Sequence, residues 1–267
     1  MVSVSDSAPS SRRLRRLYSD RDLSALEQVL LSEEESRHAL KSLRLQPGEL
    51  CLLVDGSGCE AEASLEQIQE DRALFKIISR RQSARAFSIP VTIFPALIKK
   101  GKMDTLVEKA QEFGVTAFQP VMCERSEFEI NSERFQAVAT RWEKIAKEAA
   151  KQSGAVQVLT IKNPRKFEKI LAELDPKSLV LLFHTHAPAE DWTQVAAALT
   201  SQKHLFSNVS VLIGPEGGFS SKEIQSALHL KHPHLKIVRM VSTVLKADTA
   251  FVAALAGIPF FLHKAGD

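Results

Sequence analysis

From Ile89 onward, apolar residues cluster in short runs separated by stretches with helical spacing. The runs predict strands over 91–98, 116–122, 156–161, 179–184, 209–214 and 235–240. The intervening stretches predict helices over 103–113, 134–152, 165–174, 190–200 and 221–230, with a last one over 249–263. In the first helix Met103, Leu106, Val107, Ala110 and Phe113 share one face, and Gly114 closes it. Strands alternating with helices imply an α/β domain whose mostly parallel sheet is covered on both faces.

The pattern before Ile89 is different. Arg12 to Tyr18 reads as a basic strand or arm, and Glu33 to His38 opens a short helix. Leu45-Gln-Pro-Gly48 turns the chain into a strand over Leu50–Gly56, and two further strand-like runs follow at Glu60–Leu65 and Ala73–Ser79. Short strands with Pro/Gly turns predict a small β-rich barrel over 12–86, after a Ser-rich, disordered tail at 1–11. The basic link Arg80–Arg85 leaves 87–267 for the α/β domain.

Composition narrows the class. A hydrophobic fraction of 44% and a charged fraction of 25% are those of a globular chain. The net charge is only +3, and it is uneven: residues 1–85 hold 13 Lys/Arg against 14 Asp/Glu, the rest 22 against 18. Nucleic-acid binding would therefore use local clusters rather than a global field. Cys51, Cys59 and Cys123 are scattered, which suggests a reducing compartment and no disulfide frame. Met1 to Arg16 lacks an apolar segment, and the longest apolar run, Ala250–Leu262, is too short to span a bilayer. A cytoplasmic protein without a membrane anchor is expected.

The most specific local feature is Gly214-Pro-Glu-Gly-Gly218 at the end of an apolar strand, followed by a helix start at Ser220 and Glu223. Ser and Glu at that spacing form a capping box. A glycine-lined loop between a buried strand and a helix lies at the edge where α/β sheets bind ligands. Phe183-His-Thr-His186 and Met240–Ala250 end neighbouring strands, so three loops are expected to meet at one small-molecule site. His184 and His186 alternate on one strand near Asp191, but no matching cluster ends the other strands, and no metal is expected. Lys99, Lys100 and Lys102 form a basic loop at the same type of edge. Together with Arg12, Arg13, Arg15, Arg16, Arg44, Arg125, Arg141 and Lys144 they make an RNA track a reasonable expectation, although solvated charged faces are the common alternative.

These motifs resemble the knotted (SPOUT-class) RNA methyltransferases, and most closely the RsmE family, which methylates N3 of a uridine in small-subunit ribosomal RNA. Gly214-Pro-Glu-Gly-Gly218 and Val244-Leu-Lys-Ala-Asp-Thr-Ala250 carry the likeness. So do His38–Leu45 with Pro47-Gly48, Lys102–Gly114, Glu124-Arg-Ser126 and Arg141–Gln152. The resemblance implies an N-terminal PUA-like RNA-binding barrel and a C-terminal α/β domain tied in a trefoil knot. It further implies a homodimer, S-adenosylmethionine (SAM) as cofactor, and ribosomal RNA, in the assembled small subunit, as substrate. By the same likeness Phe183, His184, Gly214, Pro215, Glu216, Gly217, Gly218, Met240, Val244, Leu245 and Thr249 would surround the cofactor. The chain departs from the family at Val241, where glycine is usual, and at Thr243, where arginine is usual. Lys246, Ala247 and Asp248 stand where the family has Arg-Thr-Glu.

Uridine N3 carries a proton at neutral pH, so methylation needs a base or a stabilised anion. Lys246 or a nearby arginine is the candidate for stabilising that anion, and Asp248 or Glu216 for accepting the proton. The altered loop leaves two alternatives: a non-catalytic RNA-binding protein with a degenerate cofactor site, and a knotted methyltransferase acting on another RNA position.

Overall fold

The computed structural model describes residues 14–83, 86–186 and 188–262, leaving aside the side chains of Lys100, Ser132 and Lys203. The tail at 1–11 and the arginines Arg12 and Arg13 lie outside the described residues. The chain divides into two compact units at Ser83/Ala84.

The first unit contains strands β1 (Arg15–Tyr18) and β2 (Gln28–Leu30), helix α1 (Glu33–Arg37), and strands β3 (Leu50–Val54), β4 (Cys59–Gln69) and β5 (Arg72–Gln82). Ser32 caps α1 by accepting from the Glu35 N–H, and a turn of π-helix, His38–Ser42, extends it. The sheet order is β1-β3-β4-β5-β2, parallel only between β1 and β3. Leu17, Leu53, Ala61, Leu65 and Phe75 are fully buried beneath it. The β4–β5 hairpin runs well past the two short strands read from the pattern. It turns at Glu70 and Asp71, both left-handed at φ 48° and 62°. Two consecutive residues of that kind make the tight turn whose twist suits a hairpin.

The second unit begins with β6 (Val91–Pro95), α2 (Lys100–Glu112), β7 (Ala117–Phe118) and β8 (Val121–Met122). Then come α3 (Ser132–Ser153), β9 (Thr160–Ile161), β10 (Arg165–Lys166) and α4 (Phe167–Ala172). The second half holds β11 (Ser178–Phe183), β12 (Glu190–Asp191), α5 (Trp192–Gln202), β13 (Asn208–Ile213), α6 (Ser221–His229), β14 (Leu235–Arg239), α7 (Ala247–Gly257) and α8 (Pro259–Leu262). Seven strands form one sheet in the order β12-β14-β11-β13-β6-β7-β9, and every pairing in it is parallel. Alternate residues of one strand feed two cores. Leu179, Leu181 and Phe183 pack toward α2, α3, α5 and α7, whereas Val180 and Leu182 pack toward α4 and α6. That double coverage is why these strands read as unbroken apolar runs.

Several elements differ from the pattern. The run 116–122 breaks at Gln119-Pro120 into β7 and β8, and the helix expected from 165 begins only after the two-residue strand β10. Likewise, Glu190 and Asp191 pair with Val238 and Arg239 before α5 starts. The last helix stops at Gly257, and Pro259, which has no N–H to donate, opens α8. α3 agrees with the reading: Asn131 caps its start and Gly154, at φ 74°, ends it.

Candidate functional site

The carboxyl ends of β11, β13 and β14 lie side by side in the sheet, and the three loops that follow enclose a cleft of about 460 Å³. That is within the usual range for a small-molecule site, roughly 300–1,000 Å³. From the first loop Phe183, His184, Thr185 and His186 line it, and from the second the whole of Gly214–Gly218. The third contributes Met240, Val241, Thr243, Val244 and Leu245. Val241 stays 42% exposed, so its branched side chain sits at the rim rather than in packed interior.

Local chemistry fixes the middle loop. Pro215 C=O accepts from the Gly218 N–H at 2.8 Å, closing a turn with Gly218 at φ 66°. A Cβ on Gly214 would lie 3.0 Å from the Phe219 nitrogen, so this position is packed backbone to backbone. Ser220 and Glu223 form the expected capping box. Glu223 is buried and also accepts from the Glu124 N–H at 2.9 Å, which ties the tight turn Cys123–Ser126 to the start of α6. That turn delivers Arg125 to the cleft wall. Its Nη1 donates to the Gly217 carbonyl at 2.7 Å.

Lys102, from α2, pairs with Glu216 of the middle loop and, at 3.4 Å, with Asp248 in the first turn of α7. The Glu216 carboxyl is held below the usual carboxylate range, chiefly by the Lys102 hydrogen bond and helped by the Ala247 N–H, against the effect of partial burial. Burial alone would raise the Asp248 carboxyl, but hydrogen bonds from the Thr249 N–H and Lys102 outweigh it and the net shift is downward. His184 is shifted down by burial, then by His186 and Arg125, which favours neutral imidazole.

Most residues expected at a cofactor site meet here: Phe183, His184, Gly214, Pro215, Glu216, Gly217, Gly218, Met240, Val244 and Leu245 all line the cleft. Lys246, Asp248 and Thr249 are not among the lining residues. The Lys246 side chain is exposed at the start of α7. Lys102, read as an RNA contact, is engaged by the two carboxylates instead, whereas Arg125, read the same way, belongs to the cleft. Arg239 and Gln225 line it too, and no motif pointed to them.

The remaining basic residues are dispersed. Arg16 pairs with the buried Glu60 and Arg15 with the Leu43 carbonyl, both within the first unit, where Arg44 is exposed at φ 53°. Lys99 is exposed just before α2. Arg141 pairs with Asp104, and Lys144 borders a groove that also holds Glu108 and Glu148. Among the described residues no group of 3 or more His, Cys, Asp or Glu could hold a metal ion. No described helix is long and apolar enough to cross a membrane.

The chain is similar to known proteins in sequence and in fold. The family described as RNA methyltransferase domain matches residues 85–258, and that described as RNA methyltransferase PUA domain matches 31–78. Ribosomal RNA small subunit methyltransferase E of Bacillus subtilis is 24% identical over 86% of this chain and 89% of its own length. The protein of that name from Mycobacterium bovis is 28% identical over 86% and 85%. The crystal structure of ribosomal RNA small subunit methyltransferase E from Neisseria gonorrhoeae, bound to S-adenosyl methionine, superposes with a TM-score of 0.77. It is 26% identical and covers 92% of this chain and 97% of that one.

Proposed function

Because this chain belongs to the RNA methyltransferase family, and with it is a SAM-dependent enzyme acting on small-subunit ribosomal RNA, we propose that the atom it methylates is N3 of a uridine. The observation that carries this reading is the cleft itself: three loops at adjacent strand ends, the middle one Gly-Pro-Glu-Gly-Gly, with a cationic Arg125 on the wall.

The lining suits SAM. Phe183, Ile213, Met240 and Leu245 offer apolar surface for an adenine ring, and the glycine loop offers backbone at close range. When bound, SAM supplies a methyl group on a sulfonium, open to in-line attack. The chain's part is to hold the acceptor nitrogen against it, and positioning of that kind accounts for much of a transfer rate.

The proton on N3 sets the remaining requirement. Arg125, rather than Lys246, is the cation we assign to the uracil oxygens, since it lines the cleft and Lys246 does not. Glu216 lies at the same wall and can accept the proton. Its lowered pKa makes it a weak base, so stabilisation of the uracil anion by Arg125 carries more of the catalysis. Asp248 acts through Lys102.

The trefoil knot, a homodimer, the assembled subunit as substrate and a cytoplasmic location belong to the same reading. Exposed apolar side chains near the chain's end, Val252 on α7 and Phe260 on α8 (80% exposed), suit a second copy as their cover. Sedimentation should find two chains per particle.

The reading is tested by incubating the protein with SAM and unmethylated small-subunit ribosomal RNA, digesting to nucleosides and weighing the products. 3-Methyluridine is expected. A methylated ribose or another methylated base would overturn the N3 assignment.

A further inference from the structure

The segment Lys162-Asn-Pro-Arg-Lys-Phe-Glu-Lys169 carries four cations and a single carboxylate, Glu168. By its spacing it would merge into a helix. The structure instead holds Arg165 and Lys166 as the strand β10, parallel to β8, with Arg165 opposite Val121 and Lys166 opposite Met122. Backbone bonds from Lys162 to the Phe118 carbonyl (2.9 Å) and from Arg165 to the Pro120 carbonyl (3.1 Å) pin the segment down. Phe167, which follows, is fully buried. Neighbouring strand residues face opposite ways, yet Arg165 and Lys166 are both exposed, as are Lys162 and Lys169. Among the described residues none of the four has an ion-pair partner. Four exposed cations without an ion-pair partner among the described residues, on a short segment whose backbone is pinned, suit a polyanion that comes and goes.

Its location says which polyanion. β8 runs straight into the turn that places Arg125 in the cleft. With strands about 4.8 Å apart and at most about 3.5 Å of chain per residue, Lys166 lies within roughly 15 Å of Arg125. We infer that Arg165 and Lys166, flanked by Lys162 and Lys169, form a track for the RNA phosphate backbone that leads past Arg125 to the methyl-transfer cleft. The inference rests on the ribosomal RNA reading above and adds to it the surface on which the RNA lies.

The test is a salt titration of RNA affinity for the parent chain and for the double variant Arg165→Gln/Lys166→Gln, using unmethylated small-subunit ribosomal RNA both naked and assembled. Each lost phosphate contact on a single strand removes about 0.7 from the log–log slope. The variant's slope should therefore be shallower by about 1.4, with SAM affinity and unfolding midpoint unchanged because both side chains are exposed. Equal slopes and affinities in parent and variant would overturn the track while leaving the enzymatic reading intact. Failure of the parent itself to bind either form of RNA would overturn the reading beneath it.

Discussion

Lys102 and Asp248 face each other at 3.4 Å, although they sit 146 positions apart, and the same ammonium also meets Glu216. One cation from α2 thus joins the glycine loop after β13 to the helix after the third cleft loop. Only Glu216 of the three lines the cleft, so Lys102 shapes it indirectly, by holding two of its walls together.

Lys102→Met should therefore weaken SAM binding, roughly 3- to 10-fold for two partly exposed pairs, while Lys102→Arg keeps most of it. Calorimetric titration with SAM checks this. The pH dependence has a definite sign. Glu216 and Asp248 are shifted down, so their pairing is intact above the ordinary carboxylate range and is lost as pH falls through their lowered values. Lys102 is shifted up, mainly by its bond to Glu216, so its side of the pairing fails only as pH rises beyond the ordinary lysine range. SAM affinity should be flat through neutral pH and fall at the acid end. In Lys102→Met that acid fall should be smaller, and an unchanged fall would sever the ion cluster from the cofactor loops.

Arg125→Lys separates positioning from chemistry. A lysine keeps the charge but cannot donate to the Gly217 carbonyl and still present a planar fork to the base. We expect kcat to fall by about 10²-fold, the scale of losing one anion-stabilising donor, with SAM affinity within a few-fold of the parent. Single-turnover methylation alongside calorimetry distinguishes the two. A loss confined to SAM affinity would make Arg125 a loop clamp and nothing more.

Much of this site could be read along the chain, because its strands are buried on both faces and its middle loop is built from local rules. The run Val209–Ile213, the turn Gly214–Gly218 and the box of Ser220 with Glu223 each follow from neighbours in sequence. What was not legible depends on partners distant in sequence. Arg165-Lys166 and Glu190-Asp191 have no apolar pattern, and they are strands only because β8 and β14 lie beside them. Lys102 reads along the chain as a basic-loop contact for RNA, and only the fold sets two carboxylates against it. The motifs do not choose between Lys246 and a nearby arginine; in the fold Lys246 is exposed at the start of α7, while the Glu124 N–H, donating to Glu223, anchors the turn that carries Arg125 to the cleft.

Glu60 should contribute to the acid stability of the first unit. Its carboxylate is buried and accepts from Arg16 at 2.8 Å and from Arg81 and Ser83, each at 2.7 Å. Burial pushes its pKa up, but Ser83 and the two arginines outweigh that and the net shift is downward. The stabilisation is therefore present above the ordinary carboxylate range and lost as pH falls through the lowered value. Glu60→Gln should cost about 1–3 kcal/mol at neutral pH, the worth of hydrogen bonds to a charged group whose arginine partners can return to water. Denaturant unfolding of parent and variant should converge as pH drops, and a constant gap down to strong acid would rule out the ionised carboxylate as the source.

Gly257 sets how closely the end of α7 approaches α5. A Cβ there would lie 2.7 Å from the Trp192 ring, nearer than side chains pack, and Trp192 is itself buried against Phe183 and Phe261. Alanine normally favours a helix over glycine by about 1 kcal/mol, so Gly257→Ala pits propensity against overlap. Overlap should win, because the indole has aromatic neighbours on two sides and cannot retreat without disturbing them. The net cost should be about 1–2 kcal/mol after the propensity gain is deducted from an overpacking penalty of up to about 3 kcal/mol. Thermal unfolding followed by tryptophan fluorescence reads this directly. A midpoint equal to or above the parent's would mean that α7 and α5 can slide apart, and that the close approach is permitted by the glycine but not needed.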